Sequence, residues 1–365
     1  MRLGDCGKTN LHTYSDKEKW SLIRYLDTGS ITEGRIDEIQ TLYPGVDKIP
    51  SRARRKASVG DILFSTVRPN QKHYGIIEAG TENLLVSTGF TVVTVDTTIA
   101  DPYFIYYYLT QSSVIESLQA IAEQSTSTYP SIKPSDIEDI ELDLPELETQ
   151  KKIGSTLRML DRKIALNEEI NDNLQQQAQA IYASMFVDNA DPTWQQGHLS
   201  DLVTVRYGKD HKKLADGIYP VYGSGGIMRH VERPLYDKES VLIPRKGTLN
   251  NVMYVNQPFW SVDTMFYTEM RLPDVAKFVY HFVKAKDLAA MNAGSAVPSM
   301  TTDILNAMEI AIPPATVLEE FESLVAPMYR AMQGNDAQSK KLADLRNALL
   351  PKLMSGEIDV SDIQL

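Results

Sequence analysis

The amino-acid sequence contains two copies of one pattern, and this repeat limits the folds that are open to the chain. The first copy is TYPSIKPSDIEDIELDLP, residues 128–145, and the second is AVPSMTTDILNAMEIAIP, residues 296–313. Each copy has Pro-Ser near its start, an acidic and apolar middle, and a closing apolar-x-apolar-Pro. The copies lie 168 residues apart in a chain of 365 residues, which is long enough for two domains. The repeat therefore predicts two domains built on one plan.

A heptad pattern follows each copy of the repeat. Apolar or small residues recur at alternating steps of four and three, which is typical of a coiled-coil seam. The predicted seam of the first helix comprises Ile153, Leu157, Leu160, Ile164, Asn167, Asn171, Leu174, Ala178, Ile181 and Met185. The equivalent positions of the second helix are Phe321, Val325, Met328, Met332, Asn335, Ser339, Leu342, Arg346, Leu349 and Leu353. Both seams have a polar break in the middle, and buried Asn at such positions fixes helix register at a cost in stability. The alternative is two unrelated amphipathic helices.

Two positions depart from the repeat. Pro327 falls inside the second seam, and because proline breaks a helical hydrogen bond, the second helix is expected to kink or to start late. Arg346 stands where the first helix has Ala178. Strict symmetry of the two helices is therefore not expected at these positions.

The order of these elements predicts the fold. Each heptad helix follows a globular stretch in which β-branched and aromatic runs, such as DILFSTV and NVMYV, alternate with short helices and turns. The second helix must run back along the first for their seams to pair, so antiparallel helices of roughly 60 Å are expected. The predicted class is α+β, with two globular domains separated by a pair of long antiparallel helices (a coiled coil) and a pseudo-two-fold internal repeat. The predicted boundaries are 1–145 and 189–313 for the globular domains, 146–188 and 314–356 for the helices, and 357–365 for a C-terminal tail.

Shorter similarities at matching places support the duplication. They are Leu3-Gly4-Asp5 with Leu199-Ser200-Asp201, Asp61-Ile62-Leu63-Phe64 with Ser240-Val241-Leu242-Ile243, Ser87-Thr88-Gly89-Phe90 with Asp263-Thr264-Met265-Phe266, and PYFIYYYLT with AKFVYHFV. Each similarity is weak alone, but their common order along the chain favours a duplication.

Composition places the chain among soluble globular proteins, with 42% hydrophobic and 23% charged residues. The sequence has no apolar run near the ~20 residues that a membrane helix needs, and its first residues do not resemble a signal peptide. A single cysteine, Cys6, excludes a disulfide framework and a cysteine metal cluster. We therefore expect a cytoplasmic protein.

Charge is segregated along the chain, so the net charge of −11 says little about its binding surfaces. Residues 51–75 hold six basic residues and one acidic residue, whereas residues 135–150 hold seven acidic residues and no base. Basic loops on two similar domains, held by a rod of fixed length, suggest a ligand with two spaced sites such as duplex DNA. The residues predicted to contact DNA are Arg52, Arg54, Arg55, Lys56, Arg68, Lys72, His73, Lys209, Lys212, Lys213, Ser224, Arg245, Lys246, Asn250 and Asn251. For each cluster the alternative is a solvated surface loop. The acidic segment is interpreted as a collar that repels DNA.

The segment YPVYGSGGI, residues 219–227, is a glycine-rich turn between aromatic residues. It does not match the dinucleotide pattern G-x-G-x-x-G. Two readings stay open: a tight turn with a purely structural role, or a loop whose bare backbone can approach a DNA groove.

Motifs for catalysis are missing from the sequence. None of the six histidines has metal-ligand spacing to another His, Cys or acidic residue, and no metal site is predicted. The G-x-S-x-G nucleophile elbow is also missing. The single Pro-Pro, at Pro313 and Pro314, lacks the flanking residues of the amino-methyltransferase motif Asn/Asp-Pro-Pro-aromatic. The sequence thus favours recognition over chemistry, with a protein-binding coiled-coil scaffold or a stand-alone DNA methyltransferase as alternatives.

The arrangement resembles the specificity (S) subunit of Type I restriction–modification systems. The resemblance covers nearly the whole chain and is carried by both Pro-Ser…apolar-Pro copies, ETQKKIGSTLRMLDRKI, LSDLVTVRYGK with YPVYGSGGI, and the ending LLPKLMSGEIDV. The segments YLDTGSITEGRI and SRARRKASVGDILFSTVRPN are similar to one class of target recognition domain.

The resemblance implies a division of labour within a larger complex. Each globular domain would be a target recognition domain that reads one half of a bipartite, asymmetric site in double-stranded DNA. The helices would set the spacer and dock two modification (M) subunits, which bind S-adenosylmethionine and methylate adenine. Restriction (R) subunits, in complexes that contain them, would add translocation and cleavage driven by ATP with Mg. The S subunit itself would have no cofactor and no catalytic residue.

Overall fold

The computed structural model describes residues 1–125, 129–291 and 299–361. Thr128 of the first repeat copy, residues 296–298 of the second, and residues 362–365 of the predicted tail lie outside the described residues. The chain divides into two compact units. Unit 1 comprises Met1–Leu166 with Ala337–Leu365, and unit 2 comprises Asn167–Asp336. Each unit therefore takes part of both long helices.

The described part of unit 1 before the first long helix contains short strands and four helices. The strands are β1 (Gly7–Thr9), β2 (Ile23–Leu26), β3 (Ile31–Thr32), β4 (Arg35–Ile36), β5 (Gln40–Leu42), β6 (Ala53–Lys56), β7 (Ile62–Ser65), β8 (Tyr74–Ile76), β9 (Leu84–Ser87) and β10 (Phe90–Val95). The helices are α1 (Leu3–Cys6), α2 (Pro102–Leu109), α3 (Ser112–Glu123) and α4 (Pro134–Glu138), followed by the long helix α5 (Leu147–Ala183).

Unit 2 has elements of the same kinds between the two long helices. Its strands are β11 (Gln195–His198), β12 (Val203–Tyr207), β13 (Asp216–Gly223), β14 (Gly226–Val231), β15 (Ser240–Pro244), β16 (Met253–Val255), β17 (Trp260–Ser261), β18 (Met265–Met270) and β19 (Glu309–Ile312). Its short helices are α6 (Leu199–Leu202), α7 (Ala276–Lys284) and α8 (Thr302–Asn306), and the second long helix is α9 (Ala315–Met354).

The central sheets of the two units have the same topology. The strand order is β1-β10-β7-β8 in unit 1 and β12-β18-β15-β16 in unit 2, with antiparallel neighbours throughout. The paired short similarities of the sequence fall on equivalent elements: α1 with α6, β7 with β15, the turns before β10 and β18, and α2 with α7. The helices α4 and α8, within the two repeat copies, also begin 168 residues apart. The predicted α+β class and internal repeat are confirmed.

A second sheet in each unit extends the similarity. Its order is β5-β2-β9-β6 in unit 1 and β14-β13-β17 in unit 2. Both sheets contain an equivalent parallel pair, β2 with β9 and β13 with β17. Unit 1 adds β6 at the edge, antiparallel to β9. The two units therefore differ most in the loops and edge strands around a shared framework.

The core of each unit is completed by the long helices. In unit 1, Phe104 of α2 belongs to one apolar cluster with Leu157 of α5 and Leu353 of α9. In unit 2, Phe278 of α7 clusters with Phe321 of α9 and with residues of α5. Burial of these side chains stabilises the helices more than their intrinsic propensity does.

Every residue of the predicted seam is buried or half-buried. Three polar residues of the seam, Asn167, Asn171 and Asn335, lie in unit 2. Asn171 donates from Nδ2 to Asp336 Oδ1 at 2.8 Å and accepts at Oδ1 from Asn335 Nδ2, also at 2.8 Å. Asn167 is fully buried and donates to the Asn335 carbonyl at 3.4 Å. Asn171, one turn further along α5, also donates to the Met332 carbonyl at 3.3 Å, so these helix segments are antiparallel.

The expectation that the second helix starts late is wrong. The helix α9 begins at Ala315, twelve residues before Pro327, and continues through it. A proline inside a helix costs about 3 kcal/mol. Phe321 and Val325, in the turns before the proline, are 0% exposed in the core of unit 2. This burial offsets the lost hydrogen bond.

Arg346, the other departure from the repeat, has a structural role in unit 1. Its Nη1 lies 2.6 Å from Asp161 Oδ1, and the Tyr107 hydroxyl donates to the second oxygen of the same carboxylate at 2.6 Å. Position 161 is equivalent to position 329 of the other helix, where a tyrosine stands. Arg346 therefore pairs with an acidic residue in unit 1, whereas the position equivalent to that acid in unit 2 is a neutral tyrosine.

The equivalent contacts of unit 2 are neutral and centre on His281. The Tyr329 hydroxyl donates to His281 Nε2 at 2.9 Å, and His281 Nδ1 donates to Gln179 Oε1 at 2.7 Å. The ring is 0% exposed, and burial lowers the pKa of His281 from 6.5 to about 4.

We predict that unit 2 loses stability as the pH falls from about 6.5 to about 4. The unfolded chain binds a proton to His281 in this window and the folded chain does not, so acid favours unfolding, by about 3 kcal/mol at pH 4. His281→Gln keeps a donor and an acceptor but cannot be protonated. Urea unfolding between pH 4 and 7 should show a shallower pH dependence for H281Q than for wild type. Identical pH dependence would contradict the assignment.

Candidate nucleic-acid interface

The basic residues of the cluster SRARRK in unit 1 differ in their exposure to solvent. Arg54, Arg55 and Lys56 lie on strand β6 and are half-buried, whereas Arg52 in the preceding turn is exposed. The Arg55 guanidinium donates to Asn10 Oδ1 and to the Phe90 carbonyl, and burial lowers the pKa of Arg55. Arg55 therefore ties β6 to the central sheet in addition to any contact with DNA.

Other predicted residues of unit 1 also have partners inside the protein. Lys56 forms an ion pair with Glu18 and lies 5.2 Å from the centre of the Trp20 ring. Lys72 pairs with Glu33. His73 Nδ1 lies 2.7 Å from the carbonyl oxygen of Ile31, which can only accept, so this nitrogen carries the proton. These interactions order the loops around β6 and β8.

Arg52 and Arg68 are the exposed arginines of the predicted surface in unit 1. The Arg68 guanidinium lies 5.2 Å from the centre of the Tyr129 ring, and its backbone has φ +49°. The carbonyl of Arg52 accepts from Thr88 N at 2.9 Å, and Thr66 N donates to Gly89 O at 2.8 Å. The turn before β6, the segment after β7 and the turn before β10 thus meet at one end of the sheets.

In unit 2 the structure brings three predicted residues together. Arg245 follows β15, and its guanidinium lies 5.4 Å from the centre of the Tyr207 ring and donates to the Asp263 carbonyl at 3.1 Å. The side chain of Asn251 donates to the Ser224 carbonyl at 2.8 Å. These contacts hold the loop after β15 against the turn between β13 and β14.

Lys209 and Lys246 extend this surface. The Lys209 backbone is fixed, because its N–H donates to Ser261 O at 2.8 Å and its carbonyl accepts from Trp260 Nε1 at 2.8 Å. Its side chain is exposed, as is that of Lys246. A backbone held by buried neighbours with a free ammonium group suits a phosphate contact.

The Asn250 side chain forms hydrogen bonds with other residues of unit 2. Its amide nitrogen donates to Asp287 Oδ1 at 3.1 Å, and its oxygen accepts from Ala289 N at 3.0 Å, so it fastens the segment after α7. Lys212 and Lys213 are exposed in the turn before β13, where Asp210 Oδ1 accepts from the Lys212 backbone.

The two candidate surfaces occupy equivalent places in the shared framework. Arg68 lies in the segment after β7 and Arg245 in the segment after β15, and both segments contact the turn before the neighbouring central strand. Within the described ranges, the half-buried Arg245 and the exposed basic side chains of these surfaces form no ion pair with a carboxylate; the exposed ones are Arg52, Arg68, Lys209, Lys212, Lys213 and Lys246. Unpaired cations on the same loops of both units create two positive surfaces.

Several acids of the segment 135–150 have internal roles. Glu138 Oε1 accepts from the Thr9 hydroxyl at 2.6 Å, and Asp139 lies 2.9 Å from Arg2 Nη1. Asp136 accepts from the backbone N–H of Lys133 at 2.6 Å, at the start of α4. The idea that this segment repels DNA stays a prediction.

Sequence reasoning missed three exposed side chains of unit 2. Tyr207, 52% exposed, stacks beside Arg245, and Ile227 and Met228 protrude beyond the glycine-rich turn. The aromatic in RYGKDHKK was a usable signal for Tyr207, since aromatic residues between basic ones are common where bases or sugars are contacted. The exposure of the other two depends on a local irregularity of the strand.

Neither a metal centre nor a membrane span is found among the residues that the structure describes. Among them, no three His, Cys, Asp or Glu side chains are placed to hold a metal ion. The same residues include no helix with the length and hydropathy to cross a membrane.

Comparison with known proteins identifies the framework. The family described as the Type I restriction modification DNA specificity domain matches residues 53–176 and 192–319, more than half of the chain. A specificity subunit of the Type I enzyme HindI from Haemophilus influenzae is 22% identical, with 98% of each chain covered. The specificity subunit of MjaIX from Methanocaldococcus jannaschii is 23% identical over 83% of this chain and 79% of that one.

A solved structure shares the fold. The Type I restriction–modification S subunit from M. genitalium matches with a TM-score of 0.62 and 17% identity, covering 97% of this chain and 95% of that one. The two family matches fall one in each repeat, on the frameworks that carry the two positive surfaces. The chain therefore belongs to the family of Type I restriction modification DNA specificity domains and contains two copies of that domain.

Proposed function

We propose that the chain is the DNA-recognition subunit of a Type I restriction–modification complex. Each unit reads one half of a bipartite, asymmetric duplex site, and the paired helices set the spacer between the halves. One observation carries this proposal: equivalent loops of two units with the same strand order present unpaired cations, Arg68 in one and Arg245 with Lys246 in the other. Two similar basic surfaces are expected for a protein that binds two segments of one polyanion.

The long helices are proposed to dock two M subunits. Several large apolar side chains lie on the helices outside the seam and are exposed: Met159, Leu166 and Leu345 in unit 1, and Ile170 and Leu324 in unit 2. Exposed apolar patches on a helical surface mark protein–protein contacts. The M subunits would bring S-adenosylmethionine and the methyl transfer, R subunits would bring ATP and Mg, and this chain would supply neither cofactor nor catalytic residue.

Two alternatives stay open and make different predictions. A coiled-coil scaffold with protein-binding heads predicts no DNA affinity and partner binding that changes little with salt. A stand-alone DNA methyltransferase predicts S-adenosylmethionine binding by the isolated chain. The duplicated cationic surfaces favour DNA recognition over the scaffold.

We predict that sequence-specific duplex binding appears, or strengthens greatly, when M subunits are added to the full chain. The measurement is competition binding between duplexes of different sequence, repeated from 50 to 200 mM salt. Several phosphate contacts should lower the affinity about a thousand-fold or more over that range. A reconstituted complex that methylates every adenine regardless of sequence would contradict the proposal, as would DNA binding that is independent of salt.

A single lysine of unit 2 provides a finer test. In the reconstituted complex, Lys246→Ala should weaken binding to all sequences and reduce the salt slope by about one, because one phosphate contact is lost. Lys238→Ala is the matched control, since Lys238 is also an exposed lysine of unit 2 but lies in the turn before β15. Equal effects of the two substitutions, or no effect of either, would exclude Lys246 from the interface.

A further inference from the structure

The hairpin of β13 and β14 in unit 2 has an irregular register at its tip. Val221 pairs with Arg229, and the next pair is Tyr222 with Ile227, so Met228 is an extra residue in β14. Such a bulge changes the direction of the side chains around it and increases the local twist. Ile227 is 54% exposed and Met228 is 61% exposed, next to each other on the tip.

Contacts on the inner side of the hairpin keep these two side chains outward. Arg229, the residue after the bulge, turns inward and donates to the Leu214 carbonyl at 2.7 Å. A Cβ on Gly223 would lie 2.6 Å from Met228 Sδ, so the glycine is what leaves room for the methionine across the hairpin. The exposed apolar pair is therefore positioned by the hairpin rather than left loose.

The turn between β13 and β14 is built from small residues. Gly226 has φ +113°, a conformation that favours glycine, and a Cβ on Gly225 or Gly226 would meet nothing within 4 Å. The strand β17 pairs with β13 only at Val221 and Tyr222, so the hairpin is two-stranded from Gly223 to Gly226 and has bare backbone at its end. A two-stranded β-ribbon has the width that the major groove of B-DNA admits.

The ribbon is joined to the cationic surface of unit 2. The Ser224 carbonyl in the turn accepts from Asn251 at 2.8 Å, and a Cβ on Gly247 would lie 2.6 Å from Ser224 Oγ. Arg245 and Lys246 lie on the same loop as these two contacts. An apolar pair beside unpaired cations suits a duplex, whose groove offers thymine methyl groups between two rows of phosphates.

We propose that this hairpin enters the major groove of the half-site read by unit 2, where Ile227 and Met228 contact the 5-methyl groups of thymine. The inference rests on the proposed function and adds the chemistry of one half-site. In unit 1, Ile31, at the matching place after β2, is 0% exposed in the core and does not offer such a contact. Sensitivity to thymine methyl groups should therefore be confined to one half of the site.

Deoxyuridine tests this inference because it differs from thymidine only by the missing methyl group. The reconstituted complex with M subunits is first used to obtain the methylated site by sequencing. Each thymidine of that site, on both strands, is then replaced in turn by deoxyuridine, and competition binding is measured. Wild type should lose roughly three- to five-fold in affinity per contacted methyl group, in one half-site alone.

The variant Ile227→Ser with Met228→Ser should bind the thymidine and deoxyuridine duplexes equally. Ile218→Ser is the matched control: Ile218 is 78% exposed on the same hairpin, but it lies five residues from Gly223, roughly 16 Å along the strand. It should retain the wild-type sensitivity. Thermal unfolding of all three proteins shows whether the substitutions preserve the fold.

The outcomes separate this inference from the proposed function. A wild-type complex without sequence preference would refute the proposed function itself. A sequence-specific complex that is indifferent to deoxyuridine, or a half-site without any T·A pair, would overturn the inference alone, even if the double variant does not fold. The inference is equally overturned if the double variant keeps its deoxyuridine sensitivity.

Discussion

Packing of the long helices into the globular cores is the interaction on which the rest of this structure depends. In unit 1, Leu157 of α5 and Leu353 of α9 join the core of the central sheet. In unit 2, Tyr182 of α5 and Phe321 of α9 do the same. Unit 1 therefore cannot form from one continuous stretch of the chain, whereas unit 2 is continuous and includes a segment of each long helix. Because the helices belong to the cores, a recognition loop and the helix segments of its unit are parts of one folded body.

The two units use the same positions for different polar chemistry. In unit 1 a half-buried contact is ionic, between Asp161 and Arg346. In unit 2 it is neutral, with His281 between Tyr329 and Gln179. Both arrangements satisfy the hydrogen-bonding groups that burial removes from water, which is the condition for polar groups at such sites. The two units thus share one backbone arrangement, whereas the contacting side chains at these positions are ionic in one unit and neutral in the other.

The sequence was sufficient to predict the framework, because helix period and a constant offset are local or internal properties of the chain. The sequence was insufficient where the partner of a side chain is remote in the chain. Nothing in SRARRK indicates that Arg55 donates to Asn10, and nothing around Asn250 indicates that it donates to Asp287. The late start expected from Pro327 was wrong because tertiary burial outweighed local helix propensity. The exposure of Met228 follows from a strand bulge, which depends on pairing rather than composition.

We propose that the paired helices set the distance between the two DNA half-sites. The most direct measurement inserts one heptad into each helix, after Leu166 in α5 and after Asp336 in α9, which keeps the seams in register. The reconstituted complex is then used to methylate DNA, and the modified sites are sequenced. Seven residues add roughly 10 Å, so the account predicts unchanged half-sites with a spacer about three base pairs longer. An unchanged spacer would contradict it.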